Sequence, residues 1–267
     1  MKFSKSFLFV IAMCIAGVFI VLPVMSVAVY NDFNYTVNAD DNTITITEYL
    51  GEEVSPVIPN EIEGKPVTNI NNQAFFANTN LKSITIPDSV TTINNGAFSY
   101  CTNLTEVTLP ASLTTMQSYV FRDCKSLKTI TIPEGIKSIP NYCFSECDSL
   151  ETVVLPSTIE SIGEFAFQYC TSLASITLPS TVKEIGFAAF TSCNSLKEIA
   201  IPQSVTIIGQ LAFNRCDELL KISILSSDVN IEKDAFRKCG LAIIYAHNDS
   251  TGAAYAKTNK MPLVILK

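Results

Sequence analysis

A single histidine, His247, stands in 267 residues, and most of the usual machinery of acid–base and metal chemistry is missing with it. Histidine is the side chain that titrates near neutrality and the commonest metal ligand. No G-x-S-x-G, H-E-x-x-H or phosphate-binding loop occurs either, so positioned nucleophiles, ligand pairs and phosphate cradles are absent as motifs. Paired carboxylates can assemble from distant segments, yet no pair stands out from ordinary surface variation. The sequence points to a protein that is not an enzyme and uses no cofactor.

Charge is also scarce. Only 16% of residues are charged, and acids outnumber bases 25 to 18, for a net charge of −7. An acidic chain repels phosphate backbones and anionic headgroups, so nucleic acid is not an expected partner.

The long uncharged run lies at the start. Lys2 and Lys5 precede an apolar stretch with no charge from Phe7 to Tyr30, and Ser26-Val27-Ala28 supplies a small-x-small site. Residues 1–28 therefore read as a secretory signal peptide, or as an uncleaved N-terminal membrane anchor, since about 20 apolar residues span a bilayer. Either way the body is expected outside the cytoplasm, secreted or at the cell surface, and touches a membrane only through this segment. Removing residues 1–28 takes away two lysines and no acid, so the net charge falls from −7 to −9.

What the chain has in abundance is repetition. "LKSITIPDSVTTINNGAFSYCTN" from Leu81 is followed by "LTEVTLPASLTTMQSYVFRDCKS" from Leu104 and "LKTITIPEGIKSIPNYCFSECDS" from Leu127. Seven units of 23 begin at Leu81, Leu104, Leu127, Leu150, Leu173, Leu196 and Leu219. The shared pattern is L-x-x-[IV]-x-[IL]-P-x-x-[VLI]-x-x-I-x-x-x-A-F-x-x-C-x-x. A leucine-rich period of this length marks a solenoid whose coils must stack to bury a core. Ile84 and Ile86 share one face of a strand by their spacing of two. Val90 and Ile93 are expected to lie across a turn, and Ala97-Phe98 to close the coil.

The expected fold is an α/β-type leucine-rich repeat solenoid, mostly of short β-strands, with an irregular first coil before the seven units and end caps. Its expected parts are an N-terminal β-hairpin cap over 29–56, the solenoid over 57–240 and a C-terminal cap over 241–267. Helical spacing over 251–259 precedes a short apolar strand at the end.

Each unit carries a cysteine in one slot: Cys101, Cys124, Cys147, Cys170, Cys193, Cys216 and Cys239. Equivalent Cβ atoms on stacked coils point the same way about 4.8 Å apart, whereas a disulfide wants converging vectors at about 3.8 Å. These thiols are therefore read as a structural ladder of small buried plugs with a weak donor. Asn78 fills the slot in the irregular first coil. Cys143 makes a C-x-x-x-C with Cys147, a spacing able to hold zinc, but without a histidine or second pair it reads as a core substitution. No metal site is expected.

The unit "LASITLPSTVKEIGFAAFTSCNS" resembles the BspA-like leucine-rich repeat family, and the resemblance extends over about residues 54–267. "VIPNEIEGKPVTNI" is similar to that family's first coil, and "AAYAKTNKMPLVIL" to its ending. The resemblance implies an exported or surface-exposed protein of bacterial type. It also implies a role in adhesion or recognition of proteins or other cells, and brings no catalytic residues.

The slot before Ala-Phe is the best candidate for a binding surface. It holds Gly96, Tyr119, Tyr142, Phe165, Ala188, Leu211 and Asp234, with Tyr100, Tyr169 and Phe187 close by in sequence. Tyr119, Tyr142, Phe165, Phe187 and Tyr169 are the expected aromatic ridge, because exposed aromatics recur at recognition surfaces. The threonine-rich outward face of the first strand is the alternative surface, although β-branched residues there also serve the strand itself. The expected function is recognition of an extracellular protein or glycan; the alternative is a rigid spacer with no tight ligand.

Overall fold

The computed structural model describes residues 28–240 and 242–267, together with the backbone of Ala12–Ile15 and Val18–Val21, which pair antiparallel. The export segment expected over 1–28 otherwise lies outside the described residues. Among the described residues no helix is long and apolar enough to cross a membrane.

The chain winds into a β-solenoid of leucine-rich coils with almost no helix. Each coil has three sides. The first carries the strand that follows the opening leucine, as in Ser83–Thr85, Glu106–Thr108, Thr129–Thr131, Thr152–Val154, Glu198–Ile201 and Lys221–Ile224. The alternation exposed–buried–exposed in Glu106–Thr108 and Thr129–Thr131 puts Val107 and Ile130 inside. A proline or its neighbour then ends the pairing, because it lacks a donor and fixes φ.

The second side differs from expectation. The segment around Ile93 is not merely a turn but a second parallel ladder. Ser138–Ile139, Ser161–Ile162, Glu184–Ile185, Ile207–Ile208 and Asn230–Ile231 pair in order, each on the next. Two residues per coil are too few to show as a strand in a sequence pattern. In the N-terminal coils a separate sheet pairs Thr115–Met116 with Thr92–Ile93, Thr92–Ile93 with Lys65–Ile70 and Lys65–Ile70 with Thr43–Tyr49, all parallel. Thr43–Tyr49 pairs antiparallel with Phe33–Asn38, which in turn pairs with Ala28–Tyr30.

The third side holds the x-A-F-x-x-C stretch, and hydrogen bonds tie it to the following coil as regularly as a sheet. Phe121 N donates to Cys143 O at 2.9 Å, Phe144 N to Ala166 O at 2.8 Å and Phe167 N to Ala189 O at 2.8 Å. The flanking amides do the same: Tyr119 N donates to Asn141 O at 3.1 Å and Asp123 N to Ser145 O at 2.8 Å. Two residues per coil adopt left-handed backbone to allow this. In the third unit they are Tyr142 (φ 57) and Glu146 (φ 65), and in the fourth Phe165 (φ 55) and Tyr169 (φ 60). Left-handed backbone costs a residue with a Cβ about 1–2 kcal/mol, which the added inter-coil bonds and side-chain stacking offset.

The interior is one continuous column. Every unit-opening leucine from Leu81 to Leu219 is fully buried. Phe98, Phe121, Phe144, Phe167, Phe190, Phe213 and Phe236 stack with centroids 5.1–5.6 Å apart and planes within 11°. Phe75 and Tyr49 extend the column at one end, and Tyr255 meets Phe236 edge-on at the other. A third tie is made by hydroxyls: Thr181 Oγ1 donates to Ser157 O at 2.8 Å and Ser204 Oγ to Val182 O at 2.6 Å, one coil back.

Near the C-terminus, Thr251–Thr258 is a helix of 8 residues. Ser250 caps it, its side chain accepting from Ala253 N. Leu263–Ile265 then adds to Ile243–Ala246.

Candidate recognition site

The cysteines contribute packing and a hydrogen bond rather than reactivity. Each Sγ donates to the carbonyl oxygen of the phenylalanine 26 residues earlier: Cys124 to Phe98 at 3.2 Å, Cys147 to Phe121 at 3.1 Å, and so on to Cys239 and Phe213 at 2.9 Å. Cys101, Cys170, Cys193 and Cys216 repeat the bond at 3.1–3.2 Å. All are free thiols and buried, as is Cys143. Burial raises the pKa of Cys101 and Cys239 to about 12 and likewise holds the other five above the usual thiol range. A thiol held protonated is a poor nucleophile and a poor ligand. Asn78 uses the slot differently, its Oδ1 accepting from Asn80 N and Leu81 N within its own turn. Among the described residues no group of three His, Cys, Asp or Glu side chains gathers at metal-binding distance.

The aromatic slot makes a real stack. Tyr119 and Tyr142 lie with centroids 4.8 Å apart and planes 11° from parallel, and Tyr142 and Phe165 lie 4.5 Å apart at 16°. Phe187 closes the row edge-on against Phe165 at 5.0 Å. The reason is the backbone: Tyr119, Tyr142 and Phe165 all have φ of 55–64°, so identical left-handed conformations on successive coils aim three rings in one direction. Tyr119 is 37% exposed, and Tyr142, Phe165 and Phe187 are half-buried. Burial, then the Tyr119 hydroxyl and the Glu164 carboxylate, hold the Tyr142 phenol above its ordinary pKa, so it remains a neutral donor.

Tyr169 is placed elsewhere. It is 44% exposed and four residues beyond Phe165, in the second left-handed slot. There it borders a shallow depression with Ser192, Asn214, Arg215, Arg237 and Lys238, and it makes no ring contact with the Tyr119–Phe187 row. Tyr100, in the same slot, instead meets Phe76 edge-on at 5.4 Å and lies under the Arg122 guanidinium at 5.6 Å. Arg122 also pairs with Glu146 at 3.0 Å. The left-handed slots were hinted at in the sequence by Gly96 and Asp234, residue types that tolerate positive φ, but bulky residues in the other coils hid them.

The alternative face is interrupted. Residues 175–177 form no strand, unlike their equivalents in neighbouring units. A groove opens there, lined by Ser175, Thr177, Glu198, Ala200, Lys221 and Ser223 among others. His247 is exposed, and its carbonyl accepts from Ser250 at the start of the terminal helix.

Several known proteins resemble this chain. A leucine-rich repeat protein of T. pallidum is 36% identical, with 70% of this chain and 88% of that one covered and a TM-score of 0.68. A leucine-rich repeat protein of Bacteroides capillosus is 33% identical over 47% of this chain and 94% of its own, with a TM-score of 0.43. A leucine-rich cell surface protein of Faecalibacterium prausnitzii is 24% identical, covering 89% and 93%, with a TM-score of 0.46. No curated protein matches the chain. The sequence model of the BspA type leucine rich repeat region matches residues 68–160 and again 137–255. By that match over most of its repeats and its likeness to the T. pallidum protein, the chain belongs to the BspA type leucine-rich repeat family.

Proposed function

We propose that this is an exported, non-catalytic recognition protein, secreted or held at the cell surface, that serves in adhesion and binds an extracellular protein or glycan along its aromatic corner. The observation that carries the reading is the continuous row Tyr119–Tyr142–Phe165–Phe187 with its rim open to solvent. Rings held parallel by a rigid backbone lose little entropy on binding, and a flat aromatic face with phenol donors suits either a sugar ring or a protein side chain. Family membership supports a binding role, and the uncharged N-terminal run supports export. The half-burial of Tyr142 and Phe165 favours the second reading, a rigid spacer whose rings serve mainly to stiffen the corner.

The test is a binding screen of the protein against arrayed matrix proteins and glycans, beside a Tyr119→Ser/Tyr142→Ser/Phe165→Ser variant. Because the rings stack, that variant will melt lower than the parent, so both are screened well below the variant's transition with folding checked by circular dichroism. A ligand lost in the folded variant supports the reading. A ligand retained moves the site away from this corner, and silence across the array leaves the spacer ahead.

A further inference from the structure

A second surface lies on the other left-handed slot, and it goes beyond the aromatic corner. Tyr169, Ser192, Arg215 and Lys238 occupy that slot on four successive coils, with φ of 60, 62, 58 and 58°. Equal backbone conformations send the four side chains out in one direction. Backbone bonds hold the coils in register here: Tyr169 N donates to Thr191 O at 2.9 Å, Ser192 N to Asn214 O at 2.8 Å and Arg215 N to Arg237 O at 2.9 Å. The coils are stepped by roughly 5 Å, the spacing of paired strands, so the row extends about 15 Å on that spacing. It begins with an exposed tyrosine ring, dips at Ser192, which is buried, and ends in two cations. Arg237, next to Lys238, adds a third beside the same depression, and Asn214 contributes an amide.

The charges are uncommitted. The ion pairs among the described residues are Arg122–Glu146, Lys125–Asp123, Lys183–Glu160 and Lys221–Glu198. The same slot two and three coils earlier than Ser192 carries Glu146 and Asp123, each of which has a cation of its own. Among the described residues, no carboxylate is in ion-pair contact with Arg215, Arg237 or Lys238, in a chain of net charge −7. Two of the three arginines of the sequence stand here.

We propose that this row binds an anionic oligosaccharide, one that carries sulfate or carboxylate groups. The guanidinium forks match planar or tetrahedral oxyanions in a bidentate manner. The Tyr169 ring offers the apolar face on which a sugar ring packs, and the Ser192 dip leaves room for the chain between ring and cations. An acidic peptide fits less well, since peptide recognition relies on apolar side chains seated in desolvated pockets and this lining is polar apart from the one ring. The row is separate from Tyr119–Phe187, so the two surfaces stand or fall independently.

The test uses the full chain and three probes: a heparin-derived hexasaccharide, a neutral dextran oligomer of similar length, and single-stranded oligo-dT. Titration calorimetry at two salt concentrations compares the wild type, Arg215→Gln/Arg237→Gln/Lys238→Gln, Tyr169→Leu and the control Lys125→Gln/Lys128→Gln/Lys137→Gln. The expected result is salt-sensitive binding of the sulfated probe and none of dextran. The slot triple should weaken it at least about tenfold, as loss of even one charge-assisted contact would. Tyr169→Leu should weaken it several-fold with the salt dependence kept, and the control triple should bind as wild type. Equal loss in both triples would show a response to net charge alone and overturn the proposal. Binding of oligo-dT as tight as that of the hexasaccharide would overturn the choice of carbohydrate, and no binding of the sulfated probe would overturn the site. If the slot triple does not fold, the single Arg215→Gln variant, at an exposed side chain, takes its place with the same expected direction.

Discussion

The Sγ of Cys147 lies 3.1 Å from the carbonyl oxygen of Phe121, 26 residues back along the chain. That bond recurs between every repeat cysteine and the phenylalanine of an earlier coil. It explains why a small residue with a donor, rather than alanine, is repeated there. The carbonyl is buried and already accepts from Cys124 N at 3.2 Å, so the thiol occupies its second lone pair and adds packed volume beside it.

Cys147→Ala removes both the donor and the sulfur volume. It should lower the unfolding free energy by about 1–3 kcal/mol, read as a shift of the urea midpoint with the slope unchanged. A midpoint equal to wild type would show that the Cys124 N–H bond alone satisfies the carbonyl and that the sulfur's volume is not needed.

Stability should fall at alkaline pH. The thiols titrate near 9.0 when unfolded and are raised in the folded state, to about 12 for Cys101 and Cys239. Above about pH 9 the unfolded chain sheds protons that the folded one keeps, so the stabilisation present below that pH is lost as pH rises. Each thiol takes away at most about 1.4 kcal/mol per pH unit. Urea midpoints followed upward from neutral pH should show the decline, and Cys101→Ala should decline less steeply by one thiol's share.

Two glycines separate two kinds of constraint. At Gly186 an added Cβ would fall 2.8 Å from Glu164 N and Gly163 C, backbone atoms of the coil before. Gly186→Ala should therefore force the coils apart and cost about 1–3 kcal/mol or more. At Gly96, with φ +61, an added Cβ meets only Gln73 Cγ and Ser99 Cβ at 3.6 Å. Gly96→Ala should cost only the backbone penalty of about 1 kcal/mol. Thermal melts of both variants rank the two, and a reversed order would contradict the coil geometry.

Phe144 is fully buried between Phe121 and Phe167 in the interior column. Phe144→Ala should cost about 3–5 kcal/mol. Because each coil leans on its neighbours, the loss should appear as a broadened denaturation curve or a second transition, as in other repeat arrays. A single sharp transition at an unchanged midpoint would argue that the column does not carry cooperativity.

Much of this protein was legible in its sequence because a solenoid repeats its constraints. The spacing of Leu81, Ile84 and Ile86 fixes a strand with its inward face, and the recurrence at Leu104 and Leu127 turns one strand into a stack. Phe98 and Cys101 could be placed inside for the same reason, since a slot filled alike in seven units faces the same surroundings seven times. The helix over Thr251–Thr258 was readable from its helical spacing.

Tertiary structure alone decided what the outward residues do. The second ladder rests on two residues per coil, and the third side on amides that bond across coils, neither of which leaves a periodic apolar signature. Left-handed backbone at Tyr119, Tyr142 and Phe165 turns three separated aromatics into one stack. The same conformation four residues later gathers Tyr169 with Arg215 and Lys238 instead of with that stack. Sequence dictates which side chains are buried, because burial follows hydrophobicity and period. The direction in which an exposed side chain leaves the coil follows from backbone conformation set by the neighbouring coils, and so only the assembled stack determines which residues share a surface.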